Sequence, residues 1–187
     1  FIPVQMYDFM KENSIKGTPF NHFGTGGYIV WNTPGEKNFI DSRNLNDEIY
    51  NEYNLILSMR AGFEKKIEER GFDYFVYLDP DLIRRPNDLK GLVTAYFSRN
   101  PNWKLVFWDD KSMLFVKNIQ KFAAVIERYA YNIIHPYTFL FFKAEFENNI
   151  RSNSQAAKNE IDRKLNTEPG GVLFRNLNQS AARLLQG

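Results

Sequence analysis

Two residues with complementary chemistry, Asp41 and Arg43, stand two positions apart after the short run Asn38-Phe39-Ile40. That run predicts a strand at 38–42, and a spacing of two directs both side chains to the same face of a strand. A carboxylate that accepts hydrogen bonds and a guanidinium fork that donates them then share one site. Open α/β sheets bind ligands at the carboxyl ends of their strands. The pair therefore either faces a ligand there or forms an internal ion pair or helix cap.

A second polar group follows the neighbouring predicted strand at 18–23, which carries Asn21. The run Gly24-Thr25-Gly26-Gly27 comes directly after it. These glycines either cradle an anion on backbone N–H groups or form a tight turn that lets Tyr28 and Trp31 pack close to the sheet. No Lys-Ser/Thr follows them, so they are not a Walker loop. We expect any ligand to bind at one corner, formed by Asn21, Gly26, Gly27, Asp41 and Arg43.

Three further groups are weaker candidates for chemistry. Asp79-Pro80-Asp81 is either a metal-binding or nucleotide-sugar carboxylate pair or a plain turn, and Asp109-Asp110 fits a solvated hairpin turn. His22 is a conceivable general base, but no Ser-His-Asp order stands near it. The chain has no cysteine and 2 histidines, so thiolate or histidine-rich metal sites are not expected. We predict no catalytic residue, no metal site and no cofactor.

Composition limits the classes of partner. The 187 residues are 43% hydrophobic and 16% aromatic, which suits one domain with a sizeable core. The net charge is +2 and no Lys/Arg block is present, so we expect no nucleic-acid partner. No apolar run approaches the roughly 18 residues needed to cross a bilayer.

The elements that position the candidate corner alternate along the first two thirds of the chain. Strands are predicted at 18–23, 38–42, 74–78, 103–109 and 112–117, with helices between most of them. The last two strands flank a short turn and read as a β-hairpin. This alternation predicts an α/β fold, a three-layer sandwich whose mixed, mainly parallel sheet has about five strands and ends in the hairpin.

The character of the chain changes near Pro136, after which no strand signal remains. Helices are predicted at 137–150, 153–166 and 171–186. We therefore divide the chain into an α/β domain, 1–135, and a C-terminal helical tail, 136–187. The tail is similar to a single tetratricopeptide-type unit.

Several short motifs, in their order along the chain, resemble those of a known family. They are Gly17-Thr18-Pro19-Phe20-Asn21, Gly26-Gly27-Tyr28-Ile29-Val30-Trp31, Phe39-Ile40-Asp41-Ser42-Arg43 and Gly71-Phe72-Asp73-Tyr74-Phe75-Val76, followed by the hairpin that begins at Trp103. This succession resembles the C-terminal soluble domain of bacterial multi-pass membrane proteins of the dolichyl-phosphate-mannose mannosyltransferase (C-fold) type. Tetratricopeptide-like helices often follow that domain. Ser42 stands where the family has glycine, so a role that requires a positive φ is not implied there.

The resemblance implies a function without catalysis. In that family the catalytic acidic residues lie near the first membrane helices, which are absent from these 187 residues. The chain opens at Phe1 without a Met, and we expect it to be part of a longer protein. It would then be a periplasmic or extracellular accessory domain of a membrane-anchored parent. Its partners would be the parent's own transmembrane region and a glycan or lipid-linked sugar.

Two alternatives from other classes stay open. One is a free-standing α/β enzyme that acts on a sugar or nucleotide ligand through Asp41 and Arg43. The other is a purely structural module whose helical tail docks a protein.

Overall fold

A computed structural model describes residues 3–33, 35–43, 46–78, 93–168 and 170–185. Within these ranges the chain is a mixed α/β protein built on a four-stranded mixed sheet. The strands are β1 Pro19–Asn21, β2 Tyr74–Leu78, β3 Trp103–Trp108 and β4 Ser112–Lys117.

Helices fill most of the remaining described chain. They are α1 Val4–Glu12, α2 Gly26–Asn32, α3 Asp47–Leu57, α4 Phe63–Arg70, α5 Val93–Arg99, α6 Ala123–Tyr129, α7 Pro136–Phe141, α8 Lys143–Ser152, α9 Ser154–Thr167 and α10 Val172–Leu185. Short 3₁₀ turns at Phe23–Thr25 and Gln120–Phe122 precede α2 and α6. The α/β class and the helical end of the chain, both predicted from the sequence, are confirmed.

The sheet has the order β1-β2-β4-β3. β1 and β2 pair in parallel, with Phe20 opposite Phe75. β4 pairs antiparallel with both β2 and β3, so the predicted hairpin is confirmed. The prediction of a mainly parallel sheet is wrong, because only β1 and β2 run in parallel among the described strands. β4 lies between β2 and β3, so the hairpin occupies one side of the sheet.

The predicted strand at 38–42 is also wrong, and the described residues contain four strands where about five were predicted. Residues 38–42 form an irregular segment beside the end of β1. The backbone N–H of Phe39 donates to Asn21 Oδ1 at 2.8 Å, and Asn21 Nδ2 donates to the Ile40 carbonyl at 2.8 Å. The side-chain amide of Asn21 thus makes the hydrogen bonds that a neighbouring strand would make in a sheet. The apolar character of Phe39 and Ile40 reflects burial in the core, not membership of the sheet.

Buried hydrophobic residues form two clusters, one on each face of the sheet. Neighbouring residues of β2 point to opposite faces. Phe75 belongs to the first cluster, where its ring stacks on Phe97 of α5 at a centroid distance of 4.1 Å. Tyr74 and Val76 belong to the second cluster, which α1, α2 and α6 cover. Because both faces are buried, β2 is apolar along its length.

The C-terminal helices share the first cluster with the sheet. Their buried residues include Phe146, Ile150, Ala157, Ile161, Leu173, Phe174, Leu177 and Ala181. The ring of Phe174 lies 6.1 Å from that of Trp108 on β3. The apolar stripe of the tail is therefore buried partly among its own helices and partly against the sheet.

Candidate functional site

Asn21 lies fully buried at the end of β1, inside the predicted corner. Its Nδ2 donates to the carbonyl oxygens of His22 at 3.0 Å and Ile40 at 2.8 Å. Its Oδ1 accepts from the N–H of Phe39 at 2.8 Å. Both ends of the carboxamide are occupied by backbone groups, so Asn21 positions the corner instead of presenting a free amide to a ligand.

Position 26 requires a glycine, because the segment around Asp41 packs directly against it. A Cβ atom on Gly26 would overlap the carbonyl oxygen of Ile40 and the Cβ atom of Asp41. The adjacent Gly27 differs, because no atom lies within 4 Å of the position its Cβ would take. The first glycine packs α2 against the corner, and the second opens toward solvent.

The turn before α2 is closed by His22. Its Nδ1 accepts from the N–H of Gly24 at 3.2 Å, and its carbonyl accepts from Thr25 Oγ1 at 2.7 Å. His22 is thus the N-cap of a 3₁₀ turn. This arrangement agrees with the tight-turn alternative for the glycine-rich run and leaves Nδ1 engaged.

Asp41 and Arg43 meet, although not as strand neighbours. Asp41 is buried, and its Oδ1 accepts from the N–H of Arg43 at 2.6 Å. Its Oδ2 accepts from Arg43 Nη2 at 2.9 Å and from Asn38 Nδ2. The hydrogen bond from Asp41 raises the pKa of Arg43. The side chain of Arg43 is 61% exposed, so the carboxylate faces inward and the guanidinium outward.

The outward face of α2 is an exposed apolar strip, made of Gly27, Val30 and Trp31 and called here the α2 strip. Residues three and four apart share one face of a helix. Trp31 is 81% exposed and Val30 is 37% exposed. The tight-turn alternative placed Trp31 close to the sheet, and this part of it is wrong, because α2 buries Ile29 and leaves Trp31 in solvent.

Comparison of the chain with protein-family models, with curated proteins and with solved structures found no match. Function therefore has to be inferred from the geometry of the chain itself.

The hairpin turn holds carboxylates that the sequence interpretation placed in solvent. Asp109 is buried, and its Oδ1 accepts from the backbone N–H of Lys111 and Ser112 at 2.8 and 2.6 Å. Asp110 accepts from the N–H of Val172 at 2.6 Å and of Leu173 at 2.8 Å. The expectation of a solvated turn is wrong: Asp109 closes the hairpin, and Asp110 caps α10.

Lys164 is a buried ionisable residue that the sequence interpretation missed. Its side chain is 1% exposed, and its Nζ donates to the Trp108 carbonyl and pairs with Glu168 Oε2 at 2.6 Å. Desolvation lowers the pKa of Lys164 and raises that of Glu168. The signal lay in the helical spacing of the residues that α9 buries, which are Ala157, Glu160, Ile161 and Lys164.

A cleft of about 450 Å³ lies beside this ion pair, between the start of α1, the hairpin turn, the end of α9 and Gly170-Gly171. Glu168, Asp109 and Asp110 all line it. The described residues nevertheless contain no group of three or more His, Cys, Asp or Glu side chains arranged to hold a metal ion. The other acidic candidate, Asp79-Pro80-Asp81, lies outside the described residues.

None of the described helices has the length and apolar character needed to cross a bilayer.

Proposed function

We propose that the chain is a non-catalytic extracytoplasmic accessory domain of a multi-pass membrane protein of the glycosyltransferase type. In this proposal it binds a glycan or lipid-linked sugar on the α2 strip, and the exposed guanidinium of Arg43 is the proposed contact for a phosphate. The observation that carries the proposal is the 81% exposure of Trp31 on a helix whose opposite side is anchored to the corner. A large aromatic ring left in solvent on a well-packed element is typical of a binding surface.

The two groups have the chemistry that a sugar phosphate requires. The flat face of an indole ring can pack on the apolar face of a sugar, and a guanidinium binds phosphate through paired hydrogen bonds.

The contacts of Asp41 favour binding over catalysis at this corner. Both carboxylate oxygens accept hydrogen bonds from protein groups. A general base needs a free lone pair within reach of its substrate. The alternative of a free-standing enzyme acting through Asp41 and Arg43 therefore has less support. The exposed α2 strip likewise gives the purely structural alternative less support, since a structural helix has no need to expose Trp31.

We also propose how the fold is layered and how the chain is divided into units. Hydrophobic clusters on both faces of the sheet support a three-layer arrangement. We retain a unit boundary near 135, with a tetratricopeptide-like tail at 136–187 that docks on the sheet and leaves the α2 strip to the ligand.

Tryptophan fluorescence tests the proposal directly. Of the 3 tryptophans in the chain, Trp103 and Trp108 are buried, so a ligand on the surface reports through Trp31. We expect a saturable fluorescence change on titration with a short-chain polyprenyl-phosphate mannose. Calorimetry should show that Trp31→Ala abolishes binding.

The matched control is Tyr50→Ala, which removes another exposed aromatic ring, on α3. This variant should bind as the unmodified chain does. Binding that survives in Trp31→Ala, or no binding to either the lipid-linked sugar or free mannose, would rule out the α2 strip as the site.

A further inference from the structure

A second potential binding site lies away from the corner, in a cavity of about 140 Å³. Its walls come from the end of α5, the start of β3 and the segment that leads into α7. Ser98, Arg99, Lys104 and His135 are among the residues that line it, and none of its described lining residues is acidic. Cationic and hydrogen-bonding side chains therefore line the cavity, and Glu145, the carboxylate that pairs with Arg99, lies outside its wall.

His135 contributes a donor of defined position. It is 8% exposed and caps α7, where its Nδ1 accepts from the N–H of Tyr137 at 3.3 Å. Burial lowers the pKa of His135 to about 4, so the ring is neutral at pH 7. A neutral imidazole that accepts at one nitrogen carries its proton on the other. Nε2 is thus an N–H donor, and no described residue accepts its hydrogen bond.

Ser98 supplies a second unsatisfied group. Its Oγ is buried and has no hydrogen-bond partner among the described residues. A buried hydroxyl left unpaired costs free energy comparable to a lost hydrogen bond, so its presence calls for a partner. Arg99, also in the wall, is held in place by Glu145 at 3.1 Å and by the ring of Phe142 at 4.3 Å.

We infer that this cavity binds a small oxyanion, a carboxylate or a phosphate, through the Nε2–H of His135 and the hydroxyl of Ser98. Lys104 in the wall offsets its charge, since the guanidinium of Arg99 is already paired with Glu145. Since one water occupies about 30 Å³ in the liquid, a cavity of about 140 Å³ has the volume of roughly five waters and accommodates a group of four or five heavy atoms. The ligand is either a free ion or the acidic end of a larger molecule.

NMR of the imidazole rings tests the inference on the intact chain. The chain has 2 histidines, so the His135 ring signals are read against His22 as an internal reference. Titration with inorganic phosphate and with acetate should shift the His135 signals saturably and leave His22 unchanged. Saturation by phosphate alone or by acetate alone supports the inference and identifies the class of anion.

Neutral acetamide separates anion binding from simple filling of the cavity, because it has the shape of acetate without the charge. Ser98→Ala should weaken binding of the anion about tenfold, as expected for the loss of a hydrogen bond to a charged group. Ser152→Ala, at an exposed serine on α8, should not. The absence of a saturable shift with either anion, or an equal shift with acetamide, would overturn the inference.

Discussion

The carboxamide of Asn21 hydrogen-bonds both backbone groups of Ile40. Nδ2 donates to the carbonyl oxygen at 2.8 Å, and Oδ1 lies 3.4 Å from the backbone nitrogen. One side chain at the end of β1 therefore substitutes for a neighbouring strand. It fixes the segment that carries Asp41 and Arg43 against the sheet.

Replacement of Asn21 by alanine should lower the free energy of unfolding by about 3 kcal/mol, because it leaves several buried backbone groups unpaired. Urea denaturation measures the loss. Asn148→Ala, at an exposed asparagine on α8, should change stability by less than about 0.5 kcal/mol. A loss below about 1 kcal/mol in Asn21→Ala would show that the segment is held by other contacts.

The adjacent glycines should respond oppositely to alanine. Gly26→Ala should destabilise the chain by about 3 kcal/mol, since the new methyl group overlaps the backbone at Ile40. Gly27→Ala should be neutral or stabilise by up to about 1 kcal/mol, because its Cβ meets no neighbour and alanine is the better helix former. Thermal unfolding of both variants distinguishes them. Equal effects would contradict the close packing of α2 on the corner.

Asp41 and Arg43 should separate stability from binding. Asp41→Ala should cost about 2 kcal/mol, because the half-buried N–H of Arg43 and the Asn38 amide lose this acceptor. Arg43→Gln should unfold close to the unmodified chain, since the guanidinium is largely solvated. The same variant should weaken binding of the lipid-linked sugar phosphate and leave binding of free mannose unchanged. A larger stability loss in Arg43→Gln than in Asp41→Ala would refute this division of roles.

The buried pair of Lys164 and Glu168 should show strong coupling. Lys164→Met strands a buried carboxylate and the Trp108 carbonyl, and should cost about 3 kcal/mol. Lys164→Met combined with Glu168→Gln should recover part of that loss, because no uncompensated charge remains. A double-mutant cycle by urea denaturation measures the coupling. Additive losses would mean that the two charges do not stabilise each other.

His135 should make stability depend on pH between about 6.5 and 4. The folded ring has the lower pKa, so the unfolded chain binds the extra proton in this window. Stability is then fully present above pH 6.5 and is lost as the pH falls toward 4, by about 3 kcal/mol at most. His135→Gln should remove this part of the slope in a buffer free of phosphate and acetate. Parallel curves for the two proteins would contradict a buried neutral imidazole.

Local patterns predicted the elements that depend on neighbours in the chain. The run at 74–78 is apolar throughout, which predicts a strand, and Tyr74, Phe75 and Val76 of β2 are buried on both faces of the sheet. The β3–β4 hairpin follows from two β-rich runs around a short polar turn. Asn46 caps α3, with its Oδ1 accepting from the N–H of Ile49 at 2.8 Å, as its position before Asp47 and Glu48 predicts.

Local patterns failed where a distant residue supplies the decisive contact. The apolar pair Phe39-Ile40 looks like a strand, yet the carboxamide of Asn21 takes its backbone groups. The sequence around Asp110 is typical of a solvated turn. In the structure its carboxylate accepts from two N–H groups of α10, which lie 62 and 63 positions away along the chain. A sequence window contains neither partner.

The sequence by itself determined the α/β class, the hairpin and the helical end of the chain, and four of the five residues that it named for the corner lie together there. It could do so because the residue patterns that predict a hairpin or a helix involve residues close together in the chain. Only the tertiary structure decided that Asn21 and Asp41 face inward while Arg43 and Trp31 face solvent. It alone placed Lys164 in the core and His135 in the wall of a polar cavity. Burial is set by what packs on a residue from elsewhere in the chain, and that information is not local.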